Sequence, residues 1–153
     1  RLGFQMNLLL THFFTEEYDK ARRIAQAIQS SAPTEHRIQI QSLARILEVL
    51  ILFEEGEPGN YNYLVSRAKA SLEWLRSRKV SLPFLRFVLR FMGKMMDHPP
   101  HQWKTDIGEL LEETEKMALE KPAPGMEEVS IWCKSKLFAV KMADIVDGRV
   151  EID

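Results

Sequence analysis

Apolar side chains recur roughly every three or four residues along nearly the whole chain, and the alternation typical of β-strands is almost absent. This spacing predicts about seven helices separated by short breaks. We place them at roughly 2–14, 15–33, 34–53, 61–79, 82–97, 102–120 and 126–146. Residues 1–147 are therefore predicted to form a single all-α helical-repeat domain, followed by a loose polar end at 148–153.

Capping and breaking residues mark the ends of these helices. Thr15 and Thr34 offer hydroxyls to the first turns of the second and third helices, and Pro33 stops the second. The glycine- and proline-rich cluster at residues 56–60 is expected to separate the third helix from the fourth. Ser81 is placed to cap the fifth helix, which tolerates a proline in its first turn.

The fifth predicted helix is apolar around most of its circumference. Only Arg86, Arg90 and Lys94 form a polar stripe along it. Because a helix of this kind is usually packed between neighbours, we expect it at the centre of the packing. Short breaks between weakly similar helices favour antiparallel hairpins stacked as a solenoid, and an up-down helical bundle is the alternative.

Aromatic, small and apolar residues recur at a defined spacing through the first two helices: Leu8, His12, Tyr18, Ala21, Ala25, Ile28 and Pro33. A weaker copy opens the fourth helix: Gly59, Asn60, Tyr61 and Ala68. This pattern resembles the tetratricopeptide repeat, and the long third and fourth helices resemble the C-terminal region of bacterial, Bacteroidetes-type proteins of that family. Leu9 and Leu64 stand where the repeat has small residues. The resemblance implies a right-handed superhelix with a concave surface for peptide or protein partners, and it implies no reaction.

The composition of the chain indicates which partners it could bind and in which compartment it is expected. Its 153 residues include 21 lysines and arginines against 22 aspartates and glutamates, so overall charge gives no argument for nucleic acid or a membrane surface. The longest uninterrupted apolar run, residues 49–53, is too short to cross a membrane. A single cysteine, Cys133, excludes an internal disulfide, and we predict a cytoplasmic protein. Because the chain opens at Arg1 directly in helical pattern, we expect a fragment of a longer protein.

Residues with catalytic or metal-binding chemistry form no recognisable motif. His98 and His101 bracket two prolines without a third ligand, which favours an exposed loop over a metal site. Cys133 lies among apolar residues, which favours a small buried hydrophobe over a nucleophile. Adjacent acids such as Glu112 and Glu113 point about 100° apart on a helix and favour solvated surface over an acid–base pair. We therefore expect no enzyme, no cofactor and no metal.

Local charge is the feature most relevant to function. Between Arg67 and Lys94 the chain has eight basic residues and one acid, Glu73, whereas acids predominate from Lys104 to Glu128. One interpretation is a basic groove that holds an acidic peptide, a phosphorylated tail or nucleic acid. The other, which we favour, is that the acidic sixth helix neutralises the basic fifth. No aromatic residue interleaves with the basic stripe, which argues against nucleic acid.

We therefore expect a non-enzymatic module that binds a protein or peptide through Arg86, Arg90 and Lys94. Trp103 follows a proline loop and is the candidate for an exposed aromatic anchor. The alternative is a structural or self-association domain that packs against upstream repeats or forms a homodimer. A small all-α enzyme is disfavoured because the histidines are scattered along the sequence.

Overall fold

The computed structural model describes residues 2–31, 37–56, 58–79 and 81–152. These residues contain eight α-helices and a short 3₁₀ turn at Pro100–Gln102. The helices are α1 (Leu2–Phe14), α2 (Tyr18–Gln29), α3 (Ile38–Glu55), α4 (Pro58–Arg78), α5 (Pro83–Met95), α6 (Trp103–Glu120), α7 (Met126–Phe138) and α8 (Met142–Val146). The described residues contain no strand, which confirms the all-α prediction. Within the same ranges, every helix is either too short or too polar to cross a membrane.

Consecutive helices pack against each other across short connections, so sequence neighbours form hairpins. In addition, α1 contacts α3 and α3 contacts α5, which places these three helices in one layer. Each of α2 and α4 packs across two members of that layer, α2 on α1 and α3, and α4 on α3 and α5. Stacked helical hairpins pack in this way.

The central helix is α3 rather than α5. Residues 41–53 of α3 are all buried, including the charged Arg45 and Glu48. Helix α5 buries one face, whereas Phe87 and Phe91 stay partly exposed. The prediction that α5 lies at the centre is wrong because α3 has layer neighbours on both sides. Polar partners on other helices also allow α3 to bury its charged residues.

Helix α7 covers α3 on a further side. Trp132 of α7 is fully buried and lies edge-on to Phe53, with 5.7 Å between the ring centroids. Its indole N–H donates a hydrogen bond to Glu54 Oε1 at 3.1 Å. At the start of α7, Gly125 lies so close to α3 that an added Cβ would come within 2.7 Å of Ile46 Cδ1. Helix α7 therefore lies against the side of α3 that carries Ile46, Phe53 and Glu54.

The predicted seventh helix is divided into α7 and α8. Helix α7 ends at Phe138, because Ala139 adopts a left-handed conformation with φ of 54°. Met142, the first residue of α8, is fully buried, and its backbone N–H donates to Glu16 Oε2 at 3.3 Å. Helix α8 also contacts α1. A tertiary contact with the N-terminal hairpin therefore stabilises the helix that follows this break.

The expected break at residues 56–60 is shorter than the sequence suggests. Helix α3 ends at Glu55, directly before Gly56, and α4 already begins at Pro58. Proline suits the first turn of a helix, where backbone N–H groups have no helical acceptor. Glu57 lies outside the described residues.

Predicted helix caps agree only in part with the observed ones. Helix α5 begins with Pro83 in its first turn, as predicted, although no side chain caps it. Thr15 donates its hydroxyl to the carbonyl of Thr11 at 2.8 Å, so it closes α1 instead of capping α2. Helix α2 ends at Gln29, with Ser30 as its C-cap, so it stops before the predicted Pro33. Pro33 itself and the cap predicted at Thr34 lie outside the described residues.

Candidate binding site: a basic cleft between α4 and α5

A cleft of about 740 Å³ opens between the C-terminal half of α4 and the start of α5. Its lining includes two leucines, Leu75, which is buried, and Leu72, which is partly buried. Ser81 and one acid, Glu73, also line the cleft. The remaining lining residues are five cations: Lys69, Arg76, Lys79, Arg86 and Arg90. The cleft therefore combines an apolar portion with a basic rim.

The backbone around the α4–α5 turn brings these cations together. Lys69 and Arg76 lie seven positions apart in the sequence, which places them on one face of α4. Lys79 ends α4 in a left-handed conformation, with φ of 53°, and its N–H donates to the carbonyl of Arg76 at 3.2 Å. After this turn, Arg86 and Arg90 lie one helical turn apart on α5 and line the same cleft.

The positive charge of the cleft is largely uncompensated. Glu73 pairs with Arg76 on the same helix. For the other four cations, no carboxylate oxygen among the described residues lies within 4.0 Å of the charged nitrogens. Helix α5 has no acid in its first turn, so the positive end of its dipole adds to the same potential and opposes the negative end of α4, which also borders the cleft. The prediction that α6 neutralises α5 is therefore wrong for these residues, since α6 contacts α5 without pairing its acids with them.

Only two of the three residues in the polar stripe predicted on α5 belong to this site. Arg86 and Arg90 both line the cleft, whereas Lys94, one turn further along, is exposed outside it. The cations that α4 contributes belong to the basic block at residues 67–94, but nothing in the sequence indicates which of them face α5. That information lies in the geometry of the turn between the helices.

Trp103 is not the exposed anchor expected from its polar neighbours. Its indole N–H donates to the carbonyls of Met95 and His98, at 3.0 and 3.1 Å. Its ring packs against Phe53 and Tyr61, with centroid distances of 5.0 and 5.3 Å. The carbonyl of Met95 at the end of α5 and that of His98 in the following loop therefore hold the indole in a partly buried position.

Of the remaining candidate side chains, Cys133 is buried and His98 has a structural partner, whereas His101 and the pair Glu112 and Glu113 are exposed. Cys133 is fully buried, as expected, and burial raises the pKa of its thiol. His98 is not a free loop residue, because its Nδ1 lies 2.9 Å from Oδ2 of the buried Asp106. In the part of the chain that the structure describes, no three histidine, cysteine or acidic side chains come together in a way that could hold a metal ion.

Comparison with known proteins gives no relative for this chain. No protein family model matches it, and neither does any curated protein or any solved structure. The tetratricopeptide resemblance therefore stays a prediction, and function has to be inferred from the geometry of the chain itself.

Proposed function

We propose that the chain is a non-enzymatic binding module that holds an acidic segment of a partner protein in the cleft between α4 and α5. The observation that supports this most strongly is the set of four cations around one cleft without a carboxylate partner among the described residues. Carboxylates of a partner would form charge-assisted hydrogen bonds with these cations. Leu72, which is partly exposed above the buried Leu75, would contact an apolar side chain of the same segment.

The side of α3 that faces α7 is less suitable as a binding surface. Val129, Trp132 and Cys133 of α7 are fully buried in the core that includes α3. A partner could reach this face of α3 only by displacing core residues, at a large cost in free energy. The α4–α5 cleft is open without any such rearrangement. We therefore assign binding to the cleft and not to the concave surface that the resemblance implies.

An acidic protein segment fits the cleft better than nucleic acid does. Among the described residues that line the cleft there is no aromatic side chain, which gives no platform on which bases could stack. The whole chain has a formal net charge of −1, which gives no long-range attraction for a polyanion. A short segment with a few carboxylates and an apolar residue matches both the rim and the leucines.

Fluorescence anisotropy with a labelled glutamate-rich peptide that contains one leucine tests this proposal. The double variant R86E/R90E should weaken binding by about tenfold or more, because two attractive contacts become repulsive. The matched control K116E/K141E makes the same change in net charge at two exposed lysines outside the cleft. We expect the control to bind within about twofold of the unmodified chain. Circular dichroism should show that both variants keep their helical content.

Two results would contradict the proposal. Equal weakening by the two double variants would mean that only net charge matters and that the cleft is not a specific site. Tighter binding of a single-stranded oligonucleotide than of a peptide of equal charge would assign the cleft to nucleic acid instead.

Self-association remains the alternative function. Phe4 is 68% exposed, and Leu8, one turn further along α1, is 36% exposed, so both side chains lie on one apolar face of the helix. A second copy of the chain could cover this face. Light scattering over a range of concentrations tests this directly. A dimer that Phe4→Ser abolishes would support it, and a monomer at every concentration would count against it.

A further inference from the structure

A second cleft, of about 540 Å³, lies between α4 and α2 and reaches Arg45 of α3. Arg45 is only 7% exposed. Its guanidinium carbon lies 4.2 Å from the centroid of the Trp74 ring, and its Nη1 donates to Ser71 Oγ at 2.9 Å. Its Nε is buried without a hydrogen-bond partner. A nearly buried charged side chain is therefore held by ring stacking and one hydrogen bond.

The nearby carboxylate, Glu48, is already engaged by other groups. Glu48 is fully buried and accepts a hydrogen bond from Arg67 Nε at 3.0 Å. It also accepts from the side-chain amides of Gln26 and Gln29, at 3.3 and 3.2 Å. Over the ranges that the structure describes, no carboxylate oxygen lies within 4.0 Å of the Arg45 guanidinium. Arg67 thus pairs with the one nearby carboxylate, which leaves the charge of Arg45 without a partner.

The pKa of Arg45 also indicates a positive charge that no neighbouring carboxylate balances. Burial lowers the pKa of Arg45 to about 10, and the neighbouring charge of Arg67 lowers it by more than Glu48 raises it. Arg45 therefore stays charged at neutral pH without a direct counter-ion. Glu73, the acid among the lining residues, is mostly exposed and pairs with Arg76. A buried charge without a counter-ion is costly, so an anion that enters the cleft would be stabilised there.

We propose that the cleft between α2 and α4 binds a small organic carboxylate, with Arg45 as its counter-ion. A carboxylate is planar and matches the donor geometry of a guanidinium group. The volume lies within the range of small-ligand pockets. The Tyr63 hydroxyl can bond to the rest of the ligand, and the side-chain oxygens of Gln26, Ser30 and Ser77, whose donors are already engaged, can accept from it. This site does not depend on the α4–α5 cleft, because different side chains of α4 line the two clefts apart from Glu73.

Nuclear magnetic resonance of the ¹⁵N-labelled full chain tests this site without any substitution. Succinate, inorganic phosphate and sodium chloride are titrated in parallel at matched ionic strength, and the Arg45 Nε–H and Trp74 indole signals are followed. We expect succinate to shift both signals in a saturable way and chloride to leave them unchanged. Equal shifts with chloride, or no shift with succinate, would overturn the proposal. A response to phosphate alone would also overturn it, because the ligand class would then be wrong.

Two substitutions then test the role of Arg45. Arg45→Met should weaken succinate binding by about tenfold or more, because a charge-assisted contact is lost. Arg45→Lys keeps the charge and should therefore bind succinate more tightly than Arg45→Met does. If the methionine variant fails to fold, the lysine variant still tests the role of the charge. Arg149→Met is the matched control, since Arg149 is largely exposed near the C-terminal end. Unchanged binding in Arg45→Met, or an equal loss in Arg149→Met, would contradict the assignment.

Discussion

The contact between α7 and α3 predicts a large loss of stability when Trp132 is truncated. Trp132→Ala removes a fully buried indole beside Phe53, together with its hydrogen bond to Glu54. Truncations of this type cost about 3–5 kcal/mol in unfolding free energy. Trp132→Phe keeps a six-membered aromatic ring at this position but removes the indole N–H. Because Lys136 Nζ still contacts Glu54 Oε1 at 2.9 Å, the carboxylate stays paired, and we expect a smaller cost of about 1.5–2.5 kcal/mol.

Urea denaturation followed by far-UV circular dichroism measures both losses. A double-mutant cycle that combines Trp132→Phe with Glu54→Ala should give a coupling energy of about 1 kcal/mol between Trp132 and Glu54. Phe138→Ala is the control on the same helix, because Phe138 is 53% exposed and its truncation should cost less than about 1 kcal/mol. If Trp132→Ala costs no more than Phe138→Ala, or if the coupling is absent, α7 does not pack on α3 through Trp132.

Three further predictions concern single residues. Gly125→Ala should lower the free energy of unfolding by about 1 kcal/mol more than Gly148→Ala in thermal denaturation. Both have positive φ, 94° and 72°, but only at Gly125 would the new Cβ meet α3, so equal losses would argue against the close approach. Because burial raises the pKa of Cys133, its thiol should react with a disulfide reagent only on unfolding, and rapid labelling of the native chain would contradict this. Side-chain hydrogen bonds, of which the one with His12 has the largest effect, lower the pKa of Glu17 from about 4.5 to about 2. The ionised Glu17 therefore stabilises the folded chain above pH 4.5, and this contribution is lost as the pH falls through about 2. Urea midpoints of the unmodified chain and Glu17→Gln should therefore converge over this range, and a constant difference would refute the assignment.

The helices themselves could be predicted from the sequence because each one carries an apolar stripe and most end near a glycine or proline. Which of the helices is most deeply buried could not be predicted in the same way. Arg45 and Glu48 interrupt the stripe of α3 and suggest a solvent-facing side, yet both are buried. Their partners, Trp74 and Arg67, belong to α4. Only the packing of several helices brings these groups together.

The same limit applies at the α4–α5 cleft. The spacing of Arg86 and Arg90 was sufficient to predict one side of it, because residues four apart share a helix face. The other side depends on the left-handed turn at Lys79, a residue type that does not signal this conformation in a sequence. Ala139 is a similar case, since it ends α7 with a positive φ in the absence of glycine or proline.

The central claim is that acidic segments bind at the cleft between α4 and α5. Chemical-shift mapping with the glutamate-rich peptide tests it most directly, because each backbone amide of the labelled chain reports its own surroundings. We predict saturable shifts confined to residues 69–90, centred on Arg86 and Arg90. Shifts centred on α7 or on the α1 surface at Phe4 and Leu8, with the cleft unchanged, would contradict the claim.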